Sequence, residues 1–174
     1  MSVLKEVQDN SVETLDLVMD PDHDDYGSIR ELVQALESNT SITSISLKKD
    51  FLGALFGKDR ISILNAVGSL KNVQEVELAD AGVMVEGIVS LTKSAKTLRK
   101  LTLQNLILQG VQKDFDGLEA VLHAHPALKE FEMNDCMPAV GDIDIGKVEN
   151  AGKSIQNNTT IDNPSKAAKN AIAA

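Results

Sequence analysis

A chain of 174 residues with 43% hydrophobic and only 3% aromatic content suffices for one folded domain, its core built from many small aliphatic layers. The formal net charge of −9 excludes the clustered Lys and Arg on which nucleic-acid binding rests. The single cysteine, Cys136, excludes an internal disulfide. No run approaches the roughly 20 apolar residues of a membrane span, and Met1 to Glu6 lacks the apolar stretch of a signal peptide. No membrane contact is therefore expected, and the expected compartment is the cytoplasm.

In chain order, Leu4 to Val7 are expected to cover the first strand, within an N-terminal cap over residues 1–11. Five hexapeptides of the form apolar-x-x-apolar-x-apolar then begin at Val12, Ile42, Val73, Leu98 and Leu128, with starts 30, 31, 25 and 30 residues apart. Each ends in a period-two alternation, the signature of a half-buried strand. Between them, apolar residues recur at helical spacing: Ile29, Leu32, Val33 and Leu36; Ile61, Leu64, Val67 and Leu70; Ile88 and Leu91; Leu118, Val121 and Leu122. Ser28 with Glu31, and Asp116 with Glu119, place a capping acceptor and an acid three residues on, so helices are expected to start there. The third unit, of 25 residues, predicts a shorter helix. After Pro138 a helix is expected over 145–155. Asn158 to Ile161 echoes Asn39 to Ile42 and reads as the start of a sixth repeat that closes the open sheet edge. Residues 138–164 thus form a partial repeat or cap, and 165–174 an Ala- and Lys-rich tail.

A strand, turn, helix, turn cycle of about 30 residues makes successive strands parallel. Such units bury their apolar faces only by stacking, at about 4.8 Å per strand, which yields one continuous core with the helices outside. Helices are wider than strands, so the stack curves, with strands concave and helices convex.

The spacing and the hexapeptide resemble leucine-rich repeats of the long, ribonuclease-inhibitor-like subfamily, over Val12 to Met137. The stretch Leu32 to Leu47 is similar to the helix exit and strand start of that subfamily, also seen in tropomodulin-like caps. The resemblance implies an α/β leucine-rich-repeat solenoid in a single domain over 1–174, whose usual work is protein binding. It also implies Asn or Cys at the ninth position of each repeat, where this chain has Asp20, Asp50, Ala81, Leu106 and Cys136.

Catalytic apparatus is not visible. There is no Gly-rich phosphate loop, nucleophile elbow, or Cys and His metal spacing, so neither enzyme activity nor a cofactor or metal is expected. Asp20 to Glu31 has the carboxylate spacing of a calcium loop, but Asp25 stands where the sharp turn needs Gly and Gly27 where an apolar anchor belongs. It reads as a solvated acidic loop. His123 and His125 point about 200° apart on a helix and read as surface residues. Cys136 has no histidine partner and takes a turn position. Asn39, Asn157 and Asn158 match the glycosylation pattern, yet read as turns leaving helices.

Alternation places Asp16 beside Thr14 and Val18 on the solvent side of the first strand. The columns continue with Ser44, Ser46 and Lys48; Glu75, Glu77 and Ala79; Lys100, Thr102 and Gln104; Glu130, Glu132 and Asn134. Five acids stand against two lysines, so the concave face carries a negative field suited to a basic protein partner. The expected contact residues are Asp16, Ser46, Lys48, Glu75, Glu77, Lys100, Thr102, Glu130 and Glu132. A second surface is the apolar stretch Phe51 to Gly57, of which Phe51 or Phe56 is expected as an exposed anchor.

Overall fold

The strand pattern is realised in register. In a computed structural model, which describes residues 2–19, 26–48 and 51–161 with side chains to 157, the order is α1 (Val3–Gln8), β1 (Thr14–Val18), α2 (Ile29–Ser38) and β2 (Ser44–Lys48). There follow α3 (Phe51–Ala54), α4 (Gly57–Ser69), β3 (Glu75–Met84), α5 (Val85–Ser94) and β4 (Lys100–Gln109). The chain continues through α6 (Gln112–Ala124), β5 (Glu130–Asn134), β6 (Met137–Pro138) and α7 (Gly146–Ile161). Strands β1 to β5 are parallel and adjacent in chain order, and β6 pairs with β4. The helices stack in the order α1, α2, α4, α5, α6, α7. Helices pack about 8–10 Å apart and strands about 4.8 Å, which makes the strand side concave.

Leu15, Leu17, Ile45, Leu47, Val76, Leu78, Leu101, Leu103 and Phe131 turn inward, and Leu32, Leu36, Leu64, Val67, Ile88, Leu91, Leu118 and Leu122 meet them from the helices. Leu4 is half-buried, and Val7 of α1 is fully buried in the same core. Ile61 departs from its expected stripe and is exposed, while Ile63 is buried. A strict three-residue spacing drifts about 60° per step around a helix of 100° per residue, so Ile61 and Leu70 cannot both face inward.

Ser28 closes a capping box with Glu31 at the start of α2, which holds the Glu31 carboxyl below its ordinary range through hydrogen bonds to the Ser28 backbone and hydroxyl. The fourth-unit helix does not start at Asp116 as expected. It begins a turn earlier, where the Asp114 carboxylate accepts from Val111 N–H at 2.8 Å, which brings Phe115 into the core. Helix α5 has 10 residues against 13 in α4 and α6, although α2, in a 30-residue unit, also has 10.

Strands β3 and β4 have 10 residues against 5 in β1, β2 and β5, because each turns a corner. Asp80 (φ 56°) and Asn105 (φ 50°) are left-handed, as is Asp135 (φ 52°) just after β5. All three stand at the eighth position of their repeats. A left-handed residue inserted in an extended chain resets the alternation, so Ala81, Val83, Leu106 and Leu108 point inward again. That is why the ninth position of these repeats holds apolar residues: past the corner it faces the core. Asn105 Nδ2 donates to Asp80 Oδ1 at 3.0 Å and Gln104 Nε2 to Asp135 Oδ2 at 3.1 Å, so the side-chain ladder sits one residue before the position the family pattern implies. Asp20 and Asp50 lie outside the described residues.

The C-terminal end also differs. Asn158 to Ile161 belongs to α7 and starts no sixth strand. Glu130 N–H is spent on Arg99 O, so the next residue, Phe131, presents its carbonyl to the open side. Gly152 of α7 lies against it: a Cβ there would stand 2.7 Å from Phe131 Cδ1 and 3.1 Å from Phe131 O. A helix closes the edge that a partial repeat was expected to close.

Candidate interaction surface

Parallel register without slippage lines up the residues expected to face solvent in all five repeats, although Ser46, between Asp16 and Glu77, and Ala79 are buried. One row is Thr14, Ser44, Glu75, Lys100 and Glu130; the next is Asp16, Ser46, Glu77, Thr102 and Glu132. Val18 neighbours Lys48, and Gln104 neighbours Asn134, in the row beyond. All nine expected contact residues thus lie on one face. An open trough of about 240 Å³ crosses β1 to β4, with Thr14, Ser46, Lys48, Glu75, Lys100 and Thr102 in its lining.

The electrostatics are more local than a count of charges implies. Lys48 Nζ lies 2.9 Å from Glu77, and Lys100 Nζ lies 3.2 Å from Glu130 and 2.9 Å from Glu132. The Ser46 hydroxyl donates to the Asp16 carboxylate. Hydrogen bonding to Glu77 raises the Lys48 ammonium above its ordinary range, and bonds to Glu132 and then Glu130 raise Lys100 likewise, so both lysines are charged at neutral pH. Glu75 faces Lys100 and Ser44 across the register and is exposed. Among the described residues it is the acid of these rows without a bonded partner. Five carboxylates and two ammonium groups leave three net negative charges, with Glu75 in the middle strand as the uncommitted one.

Pairings between neighbouring strands were not read from the sequence, although the period of the repeat contains them: Lys48 and Glu77 occupy adjacent columns, as do Lys100, Glu130 and Glu132. The left-handed row at Asp80, Asn105 and Asp135 was missed as well, and its signal was a short polar residue at one phase of three successive repeats.

The remaining candidates resolve individually. Asp20 to Asp25 of the acidic loop lie outside the described residues; among the described ones, no group of three or more His, Cys, Asp or Glu is placed to hold a metal ion. His123 is exposed beside Glu119 at 3.9 Å. His125 is not a surface residue as expected: it is half-buried and its ring donates and accepts hydrogen bonds with the backbone. Asn39 leaves its helix by a different device from the one expected. Its backbone is extended (φ −70°), and its side chain accepts from Ser41 and Ile42 N–H and donates to Val7 O. Asn157 lies inside α7. Cys136 is half-buried, and its thiol, pushed up chiefly by burial, donates to Asn134 O at 3.3 Å. Phe51 is buried at 1% exposure whereas Phe56 is 80% exposed, which leaves Phe56 as the anchor of the second surface.

Among the described residues no helix is long and apolar enough to cross a membrane. No family profile matches the sequence, and no curated protein matches it. Among solved structures, the chain is similar to the tropomodulin C-terminal domain of Caenorhabditis elegans, with a TM-score of 0.62 over 93% of this chain and 96% of that one, at 10% identity. That likeness is one of fold: a parallel sheet with stacked helices, of the leucine-rich-repeat type.

Proposed function

We propose that this chain is a non-catalytic protein-interaction scaffold of the ribonuclease-inhibitor-like kind, working in the cytoplasm and binding a basic protein partner through its concave strand face. The observation that carries this reading is the alignment of ten polar positions in two unbroken rows across five strands, with Glu75 exposed at the centre. A partner lysine or arginine placed over Glu75 gains a carboxylate that no internal cation holds, and it meets Thr14, Ser44 and Thr102 as further hydrogen-bonding groups. Large aromatics are missing from these rows, so steering by charge contributes more than buried anchors do. Binding of this kind weakens as salt rises.

The test is affinity capture from the native source, with cross-linking, using the unmodified chain and Glu75→Lys. A second variant converts Glu75, Glu77, Glu130 and Glu132 to Gln, which removes the field without adding like charges beside Lys48 and Lys100. Both are expected to stay folded and lose the partner; undiminished capture by the folded variants rejects the concave face.

A second reading is a structural or regulatory capping protein of a tropomodulin-like, cytoskeletal kind. It is favoured by the extent of the likeness, which runs over nearly the whole of both chains, and by the helix that ends the sheet at β5. Co-sedimentation with cytoskeletal filaments tests it, and a chain that stays in the supernatant counts against it.

A further inference from the structure

Past the left-handed corner the chain forms a second, short parallel ladder, whose outward positions are apolar except for Gln109, with its amide over Gly82. Ile107 stands between Gly82 and Met137 in register, and Met84 lies beside Gln109. Ala139 N–H bonds to Leu108 O, and the exposed Val140 follows it where the ladder ends. Above this ladder run the first residues of the stacked helices α4, α5 and α6. Their N-cap positions hold Phe56, Met84 and Val111, none with a side-chain cap. Ser, Thr, Asp and Asn dominate that position because they satisfy orphan amides, and Ser28 does so in α2. Three apolar caps in succession forgo that stabilisation and leave their side chains in water.

The exposures are 80% for Phe56, 41% for Met84, 50% for Ile107, 64% for Val111, 59% for Met137 and 58% for Val140. Six of the eight large exposed hydrophobics of the described residues therefore belong to a rim made of this ladder, the chain segments that leave it and the N-cap of α4, and exposed apolar side chains grouped in this way mark an interaction site. The turn that carries Phe56 is fixed: Arg60 donates to Leu52 O at 2.8 Å, Leu55 O at 3.1 Å and Gly82 O at 2.7 Å.

We propose that this rim receives an amphipathic helix of a partner protein, its apolar face flanked by Lys and Arg. Two arguments select that occupant. The first is size. Three helices spaced about 10 Å apart give the row a length of about 20 Å, which matches about 13 helical residues at 1.5 Å each. A stable dimer of chains buries roughly 800 Å² and 20–30 residues on each side, more than these six side chains supply. The second is charge. Asp80 and Asp135 mark the corner on one side, while Asp114, Asp142 and Asp144 lie by the start of α6 and the turn that Gln112 holds through Asp144. Asp59 and Glu86 in the first turns of α4 and α5 join these carboxylates, against Lys58, Lys113 and the Arg60 guanidinium, which is spent on the carbonyls of the Phe56 turn. A helix set into an apolar ledge with an acidic surround presents basic flanks. This surface is separate from the concave rows and does not depend on them.

The probe is a synthetic 14-residue amphipathic helix with a leucine stripe and lysine flanks, titrated into the full chain by fluorescence anisotropy. Controls are the same residues in scrambled order and a glutamate-flanked version. Binding of the lysine-flanked helix is expected to exceed both controls at least tenfold. Ile107→Ser with Met137→Ser is expected to lose at least tenfold, as is Phe56→Ser, each with unchanged circular dichroism. Glu75→Lys is expected to leave it within about twofold, which separates this rim from the concave face. Equal binding by the scrambled peptide, or undiminished binding by both folded rim variants, overturns the proposal. So does sedimentation that shows the unmodified chain self-associating and the rim variants monomeric, since the rim then seats a second copy.

Discussion

His125 does with an imidazole what Asn39 does with a carboxamide, each three residues before its repeat's strand motif. Asn39 Oδ1 accepts from the N–H groups two and three residues on, Ser41 at 2.9 Å and Ile42 at 2.8 Å, and Nδ2 donates to Val7 O at 2.7 Å. His125 Nδ1 accepts from Ala127 at 3.2 Å and Leu128 at 3.0 Å, and Nε2 reaches Ala95 O at 2.9 Å. A ring nitrogen that accepts two N–H bonds carries no proton, so the proton is on Nε2 and the ring is neutral.

That tautomer makes the fold pH-dependent. Burial, with the Lys96 charge, holds the His125 pKa below its ordinary value against the opposing bonds to Ala95 and Thr92 carbonyls. The unfolded chain therefore binds a proton at higher pH than the folded one, so the contribution is complete above about pH 6.5 and is lost as pH falls through the folded pKa. Melting temperature is expected to drop between pH 7.5 and 5.5 in the unmodified chain and less in His125→Asn, which keeps the bonds without the titration. His125→Ala is expected to cost about 1–3 kcal/mol at pH 7.5. An equal acid-dependent drop in His125→Asn would assign the effect to the carboxylates instead.

Asn105 tests the corner. At φ 50° and exposed to solvent, it contributes backbone geometry and the bond to Asp80 rather than burial. Asn105→Gly keeps the geometry and is expected to stay within about 0.5 kcal/mol, since Gly enters the left-handed region without steric cost. Asn105→Val, whose branched Cβ opposes that region, is expected to lose about 1–2 kcal/mol. Urea denaturation decides between them, and similar midpoints for both variants would show that the corner is not held by this residue.

The five strands, their order and their solvent-facing columns were legible because one hexapeptide recurs in phase, and a period-two signal repeated five times fixes which side each residue faces. Beyond Ala79 and Gln104 that signal misleads: the left-handed Asp80 and Asn105 each shift the phase by one, and alternation carries no mark of it. The contact residues were legible as positions but not as charges, since Lys48 and Lys100 are held by acids 29 to 32 residues away in sequence. The helix over the open edge was half legible. A helix after Pro138 was expected, but its place follows from the absent side chain at Gly152, which composition does not reveal.

Gly152 and Gly117 separate close approach from helix propensity. Both lie within helices, and in an open helix Gly to Ala stabilises by up to about 1 kcal/mol. At Gly117 of α6 a Cβ would meet nothing within 4 Å, so Gly117→Ala is expected to raise the melting temperature. Gly152→Ala meets Phe131, backbone carbonyl included, and is expected to lose about 1–3 kcal/mol through overpacking. Should both substitutions stabilise alike, α7 does not press on β5.

At the opposite edge of the sheet a phenol covers the end of β1. Ser44 N–H bonds to Glu13 O, so alternate residues of β1, among them Val18, turn their amides away from β2. The Tyr26 hydroxyl accepts from Val18 N–H at 3.1 Å and donates to Val18 O at 2.8 Å, satisfying both groups at once. Its ring packs edge-on against Phe51 with centroids 5.6 Å apart. Tyr26→Phe retains the ring contact and removes the hydroxyl alone. The expected loss is about 1 kcal/mol, because water reaches a half-buried edge and recovers part of the bonding. Amide exchange at Val18 is the sharper measurement: it is expected to accelerate in Tyr26→Phe while Leu17, inside the β1–β2 ladder, keeps its protection. Unchanged exchange at Val18 would mean that the edge is closed by something other than this hydroxyl. Where it does accelerate, the exposed N–H and C=O form a strand edge open to pairing, and light scattering at high concentration is expected to rise in the variant first.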